Sequence, residues 1–223
     1  MATEHKSNNS FLDLHCKGVN YDGKTVLAPF HLQFFENQHV AIIGTSGTGK
    51  TTLLKVIFDH LNNKPQKTAL IPQKPGLVDN LSVFHNVYMG QLDQFSTITN
   101  LINLITPRTR EKKTIQSILE TLSLTDKSFT LCGELSGGQQ QRVAIARAIY
   151  RQAKNLIADE PVANLDQNQA EIALQTMINN HINCILALHN TQQALRYCDR
   201  IIGITNGKIT LDAVTTQICA QDL

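Results

Sequence analysis

The run Gly44-Thr45-Ser46-Gly47-Thr48-Gly49-Lys50-Thr51-Thr52 has the residue types and spacing to hold a chain of phosphates. It fits G-x-x-x-x-G-K-[ST] and stands between the apolar Val40-Ala41-Ile42-Ile43 and the helix-like Leu53-Leu54-Lys55-Val56-Ile57. Glycines let successive backbone N–H groups close around phosphate oxygens. The helix that follows turns the positive end of its dipole toward the same anion. Lys50 would reach the β- and γ-phosphates, and the Thr51 hydroxyl would ligate Mg²⁺. Asp159-Glu160 follows a second apolar run, at the kind of strand end where ligands sit in an open α/β sheet. Asp159 would hold Mg²⁺ through water, and Glu160 would polarise an attacking water. His189 ends the next apolar run, where a neutral imidazole could donate to the γ-phosphate or fix that water. Gln73 closes Thr68-Ala69-Leu70-Ile71, and an amide there could ligate Mg²⁺ or orient water. Last, Leu135-Ser136-Gly137-Gly138-Gln139 opens a helical run. Ser136 is a good N-cap, and Gly137 and Gly138 expose backbone donors, which makes a second anion site. One γ-phosphate rarely needs two such helix starts. The economical reading gives the second to another subunit's nucleotide.

These residues need a scaffold that delivers strand ends to one place. Strands alternating with helices predict an α/β fold with a parallel sheet. Residues 1–10 read as a frayed tail, and Phe11–Cys16 alternates as an edge strand would. Val19–Lys24 reads as a turn with Asp22-Gly23 at its tip. Thr25–Phe35 reads as one edge strand interrupted by Pro29. A loop is expected at Asn62-Asn63-Lys64-Pro65. The pattern predicts helices at Val83–Met89, Ile98–Ile105 and Thr114–Leu122, so about 74–150 reads as a helical insertion. Its basic stretch, Thr106–Lys113, reads as a solvated loop and helix face. Buried strands are expected at Leu156–Ala158 and Cys184–Leu188, and helices at Gln169–Ile178 and Gln192–Tyr197. Ile201–Ile204 and Lys208–Leu211 flank Asn206-Gly207, a hairpin signal. The tail to Leu223 is a short helix at most.

The 223 residues allow one large domain, with 42% apolar residues to fill its core. Twenty basic against 18 acidic residues leave +2, so global electrostatics make no case for nucleic acid. No apolar stretch approaches the ~20 residues that span a bilayer, and the polar start lacks a signal-peptide core. Five cysteines without C-x-x-C pairing suit reduced thiols of the cytosolic side, with Cys184 a small core residue.

Taken in order, these motifs resemble the nucleotide-binding subunit of an ATP-binding cassette (ABC) transporter, and the resemblance covers essentially the whole chain. Gly44–Thr52 matches Walker A, Gln73 the Q-loop and Leu135–Gln139 the signature. Leu156–Glu160 matches Walker B, Ala163–Asp166 the D-loop and His189 the switch histidine. Tyr21 lies where the family puts an aromatic residue against adenine. The resemblance implies a P-loop NTPase core, RecA-like, with a parallel sheet, antiparallel edge strands and an inserted α-helical signature subdomain. That gives a single domain over 1–223, with core 1–73 and 151–223 and helices at about 74–150. It also implies ATP with Mg²⁺ held by Thr51, Gln73 and Asp159. A second copy would dock head to tail, so that each ATP lies between Lys50 of one chain and Ser136, Gly137 and Gly138 of the other. Asp166 would couple the two sites, and Gln139 belongs to the same signature. Transmembrane permease subunits would dock near Gln73–Met89, at the cytoplasmic face of the membrane, with a substrate-binding protein reached through them.

Leu77–Val83, Asn86-Val87, Gly90-Gln91-Leu92 and Asp159-Glu160-Pro161-Val162-Ala163 are similar to phosphonate importer ATPases. Exporter or lipoprotein-release ATPases share LSGGQQQRVAIARA. A soluble ABC ATPase acting on DNA or ribosomes fits less well, because Lys50 and Leu135 are too close for a coiled-coil insertion and there is one cassette. Three departures stand out. The segment between Lys50 and Gln73 is short for an importer, Asn155 opens Walker B where an apolar residue is usual, and Asn164 takes a position more often held by Ser. No regulatory domain is expected after residue 223.

Overall fold

The computed structural model describes residues 9–62 and 68–218. Residues 1–8 of the tail expected at 1–10, most of the loop at 62–65, Cys219 and the end of the C-terminal tail lie outside the described residues, and Ser10 already belongs to the first strand. Strands β1 (Ser10–Cys16), β2 (Val19–Tyr21), β3 (Lys24–Leu27) and β4 (Phe30–Phe35) precede β5 (Val40–Ile43). Helix α1 (Lys50–Asn62) and β6 (Thr68–Ile71) follow, then four helices: α2 (Val83–Tyr88), α3 (Thr97–Ile105), α4 (Thr109–Thr121) and α5 (Gly137–Tyr150). The chain continues through β7 (Asn155–Asp159), α6 (Gln167–Asn180), β8 (Asn183–Ala187), α7 (Thr191–Tyr197), β9 (Arg200–Thr205) and β10 (Lys208–Val214).

The main sheet has the order β10-β9-β5-β8-β7-β6. All its neighbours run parallel except β10, which returns antiparallel to β9. The return uses Asn206 at φ 49° and Gly207 at φ 73°, the paired positive angles of a tight hairpin. Residues of β5, β7 and β8 are buried throughout, which is why these strands read as unbroken apolar runs. Side chains alternate between the two faces. Val40 and Ile42 join Leu53, Ile57, Leu14 and Phe34 under α1 and β1–β4. Ala41, Leu156, Ala158 and Leu186 instead join Phe84, Leu119, Ile145 and Leu174, so α2, α4, α5 and α6 share one cluster with the other sheet face.

Two early readings change. Thr25–Phe35 is not one strand: β3 ends before Pro29, pairs with β2, and leaves β4 to pair with β1. Pro29 has no N–H for a ladder and fixes its own φ, so the chain changes partner there. Val19–Lys24 is accordingly a hairpin, turning at Asp22 (φ 48°) and Gly23 (φ 75°).

Asn155 opens β7 buried, directly opposite the buried Asn183 of β8. Asn183 Nδ2 donates to Asn155 Oδ1 (2.8 Å), and Asn183 Oδ1 accepts from the Asn37 amide (2.8 Å). The oxygen of the polar residue at the head of this strand thus has its partner one strand away, while its buried Nδ2 has none.

Helix α3 turns its apolar face outward. Ile98, Leu101, Ile102, Leu104 and Ile105 are exposed, while Asn103 is buried and accepts from the Arg108 amide (2.7 Å). The neighbouring Arg108, Arg110, Lys112 and Lys113 are exposed, as expected for a solvated basic face.

Candidate active site

Because β5, β6, β7 and β8 run parallel, their carboxyl ends lie at one end of the sheet. Gly44, Gln73, Glu160 and His189 each follow one of those ends within two residues. This is the crevice where an open α/β sheet places ligands. A cleft of about 240 Å³ there is lined by Val26, Gly47, Lys50, Thr51, Gln73 and Glu160, among others.

The glycine loop is held tightly against the β2–β3 hairpin. At Gly49 (φ 108°) an added Cβ would lie 2.7 Å from the Leu27 side chain and 3.2 Å from the Val26 carbonyl oxygen. No other residue fits both that backbone angle and that approach. Helix α1 begins at Lys50 with no acid in its own first turn, so the helix itself turns its positive end toward an anion. Lys50 is buried, and its Nζ donates to the carbonyls of Gly44 (2.9 Å) and Thr45 (3.0 Å). Thr48 Oγ1 ties back to the Thr45 carbonyl (2.9 Å).

Two carboxylates stand at the end of β7 in different surroundings. Asp159 is buried; its Oδ2 accepts from Thr51 Oγ1 (2.6 Å), and its Oδ1 has no protein partner. Glu160 anchors a polar network instead. Its Oε1 accepts from His189 Nε2 (2.6 Å), and its Oε2 accepts from Gln73 Nε2 (3.2 Å). A carboxylate can only accept, so Nε2 of His189 carries the proton in this contact. The backbone of Glu160 is left-handed (φ 51°), held by its N–H on the Ala187 carbonyl (3.2 Å) and its carbonyl on the Ala163 amide (3.3 Å). A larger cleft of about 460 Å³ opens against the same pair, lined by Glu160, Ala163, Leu165, His189 and Gln193 among others. Of the two, the smaller cleft combines the glycine loop, Lys50 and Thr51 with Glu160, the set that the sequence reading assigns to phosphate.

The structure brings Ser46, Gly47, Gly49, Lys50, Thr51, Thr52, Gln73 and Glu160 to one cleft. His189 and Asp159 join through the contacts above, and Gly44, Thr45 and Thr48 through the loop. Tyr21, exposed on β2, and Ser136–Gln139 and Asp166 do not line that cleft. At the start of α5 the Ser136 Oγ accepts from the Gln139 amide (3.3 Å), and Gln139 Oε1 accepts from the Ser136 amide (3.0 Å). This capping box is worth about 1 kcal/mol and leaves the Ser136 hydroxyl proton free to donate outward. Gly137 faces open space. Gly138 lies against the Asn164 carbonyl, so the start of α5 and the Asn164-Leu165 segment pack together. Asp166 caps α6 by accepting from the Gln169 amide (2.9 Å).

Arg147 is a positioning residue that the motif reading passed over. It sits three turns along α5 from Ser136 and donates to the carbonyls of Pro75 (2.6 Å) and Gly76 (2.9 Å). Burial draws its guanidinium pKa down from the usual range. It ties the segment after Gln73 to the helix that Ser136 begins. The only sequence signal was an arginine on an otherwise apolar helix face.

Comparison with known proteins agrees with this geometry. The family model described as ABC transporter matches residues 27–163. The chain is 34% identical to a phosphonates import ATP-binding protein of Treponema denticola, covering 86% of this chain and 84% of that protein. It is 31% identical to a second such protein from Oceanobacillus iheyensis, covering 94% and 92%. Among solved structures, the dimeric post-hydrolysis state of the ATP-binding cassette MJ0796, bound to ADP and phosphate, superposes with a TM-score of 0.74. That match has 23% identity and covers 89% of this chain and 95% of the other, so it supports the P-loop NTPase fold. Matched across more than half its length by the family model and nearly end to end by relatives, this chain belongs to the ABC transporter family, as one of its ATP-binding and ATP-hydrolysing subunits.

Proposed function

We propose that this subunit powers the import of phosphonate-like anions through a membrane permease. The observation that carries the substrate class is the near full-length similarity to phosphonates import ATP-binding proteins from unrelated bacteria. Lys50, Thr51, Thr52 and the amides of Gly44–Gly49 bind the phosphates of ATP, and Tyr21 stacks on the adenine. Thr51 and Asp159 hold Mg²⁺. Their hydroxyl and carboxylate oxygens are the hard donors this ion takes, and the unpartnered Asp159 Oδ1 gives it or its water a ligand. Bound there, Mg²⁺ would supply neutralisation of the charge on the β- and γ-phosphates. Gln73 would adjoin both the ion and the water, Glu160 takes the water's proton, and His189 holds Glu160 through its Nε2–H until that same N–H turns to the γ-phosphate.

The signature residues Ser136, Gly137, Gly138 and Gln139 serve the nucleotide of a second copy docked head to tail. Their absence from the Lys50 cleft and the open approach to Gly137 support this division. Asp166 lies beside that interface. The permease docks near Gln73–Met89, and because Tyr88 donates to Asn100 of α3 (2.9 Å) the outward apolar stripe of α3 extends that surface. No described helix is long and apolar enough to cross a membrane, which fits attachment at the cytoplasmic face through that partner.

A strain deleted for this gene, supplied with methylphosphonate as its only phosphorus source, tests the reading. Growth should return with the wild-type gene and not with Glu160→Gln. Undiminished growth of the deletion strain, with uptake of labelled phosphonate intact, would refute the substrate class. At the level of chemistry, mixing Lys50→Ala chains with Ser136→Arg chains in an assembled transporter should restore one composite site. No activity in the mixture would refute the shared site.

A further inference from the structure

We propose that Asp13, His15 and His31 form a binding site for a divalent transition-metal ion, of the zinc, copper or nickel type, on the outer face of the β1–β4 pair. Among the described residues no other trio of His, Cys, Asp or Glu brings its ligand atoms so close: all three lie within 4.8 Å of one another.

The site follows from strand register. His15 and His31 are direct cross-strand partners, and Asp13 and Gln33 are the next pair on the same face. The opposite face carries Leu12, Leu14, Leu32 and Phe34, all buried, so the core fixes the backbone that presents the ligands. The two imidazoles stack, with centroids 3.8 Å apart and planes 10° from parallel. Both Nε2 atoms converge on one carboxylate oxygen, Asp13 Oδ1, at 2.7 Å from His31 and 3.4 Å from His15. The other oxygen, Oδ2, accepts from Gln33 Nε2 (2.9 Å).

In a tetrahedral centre with bonds near 2.0–2.1 Å, ligand atoms stand roughly 3.4 Å apart. The His15–Asp13 spacing already meets that figure. The His31–Asp13 contact must open by about 0.7 Å, His31 Nε2 must release its proton, and the stacked rings must rotate apart so that their in-plane lone pairs meet at one ion, motions open to side chains on an exposed strand face. The Asp13 carboxylate accepts on both oxygens, from Gln33 on Oδ2 and from His31 on Oδ1, so one oxygen is held while the other faces the imidazoles. Gln33 plays the part of the outer partner that orients a ligating carboxylate. Two imidazoles with one carboxylate favour borderline metals over Mg²⁺, so the ion that serves ATP would not fill this site. A fourth position stays open to water.

Titrating the metal-free chain with Co²⁺ and following its visible spectrum tests the proposal. One equivalent should bind saturably, giving a ligand-field band without thiolate charge-transfer intensity, and Zn²⁺ should displace it. The His15→Ala/His31→Ala double variant should lose at least tenfold in affinity, and Gln33→Leu about tenfold. Both should keep the wild-type melting temperature, and the wild-type ATPase rate in buffer that holds Mg²⁺ but no transition metal. The proposal is overturned if binding is absent, if it carries thiolate charge transfer, or if it is unchanged in the double variant.

Discussion

Gly137 and Gly138 are neighbours in sequence but stand in opposite surroundings, and alanine at each separates what the fold needs from what the chemistry needs. At Gly138 an added Cβ would lie 2.8 Å from the Asn164 carbonyl oxygen and 3.4 Å from Leu165 Cδ2. A backbone oxygen cannot swing aside as a side-chain tip can, so overpacking should cost about 1–3 kcal/mol. For a chain of this size each kcal/mol lowers the melting temperature by roughly 2–4 °C. At Gly137 nothing lies within 4 Å of the added atom. Alanine there should raise stability, by up to about 1 kcal/mol, because glycine is a poor helix former. If the amides at this helix start receive the partner's γ-phosphate, the new methyl obstructs them. Losing one charge-assisted hydrogen bond of about 1.5–3 kcal/mol would cut turnover roughly 10- to 100-fold. Calorimetry of the isolated chain and ATPase assays of the assembled transporter read the two effects independently. Gly137→Ala should be slightly more stable and nearly inactive, and Gly138→Ala less stable. A Gly137→Ala transporter with full turnover at saturating ATP would refute the anion-receiving role of this helix start.

Glu160→Gln should keep nucleotide affinity while turnover falls about 10²–10⁴-fold, the range for losing a general base; turnover near wild type in a single-turnover assay would remove that role. His181, buried with its Nδ1–H on the Met177 carbonyl (2.8 Å), has its pKa held below 6.5 by burial. The unfolded chain therefore binds the extra proton first, so this contribution is intact above pH about 6.5 and is lost as pH falls through the folded pKa. Urea unfolding between pH 7.5 and 5.5 should show a flatter pH dependence for His181→Gln than for wild type, and parallel curves would count against it. Asn86, fully buried, accepts from the Val78 amide (2.8 Å) and donates to the carbonyls of Val78, Leu81 and Ser82. Asn86→Ala should destabilise by about 2–3 kcal/mol and speed amide exchange at Val78, and unchanged exchange would refute its hold on that loop.

The phosphate loop, the strand-end carboxylates and the capped helix at Ser136 were legible because each depends on chain neighbours. Glycine spacing, an apolar run before Asp159 and a serine before two glycines are local signals. Less legible were features whose partners are remote in sequence. Asn155 looked like a flaw in a strand until parallel register placed Asn183 beside it. Arg147 gave no sign that it would grip Pro75 and Gly76. The periodicity of α3 was plain, but periodicity does not say which side of a helix faces the core, and here the polar Asn103 is inward. Thr25–Phe35 misled because strand-forming residues lie on both sides of Pro29, and only the exchange of pairing partner separates them.

The left-handed backbone of Glu160 has a consequence for selection experiments. A side chain with a Cβ at φ 51° carries a conformational penalty of about 1–2 kcal/mol that glycine would relieve. The position where catalysis most requires a carboxylate is therefore one where stability alone favours its loss. A library screened only for heat resistance would drift toward glycine or asparagine at residue 160 and collect well-folded, nucleotide-binding, inert transporters. Selecting for transport during every round would be the only way to hold the glutamate in place.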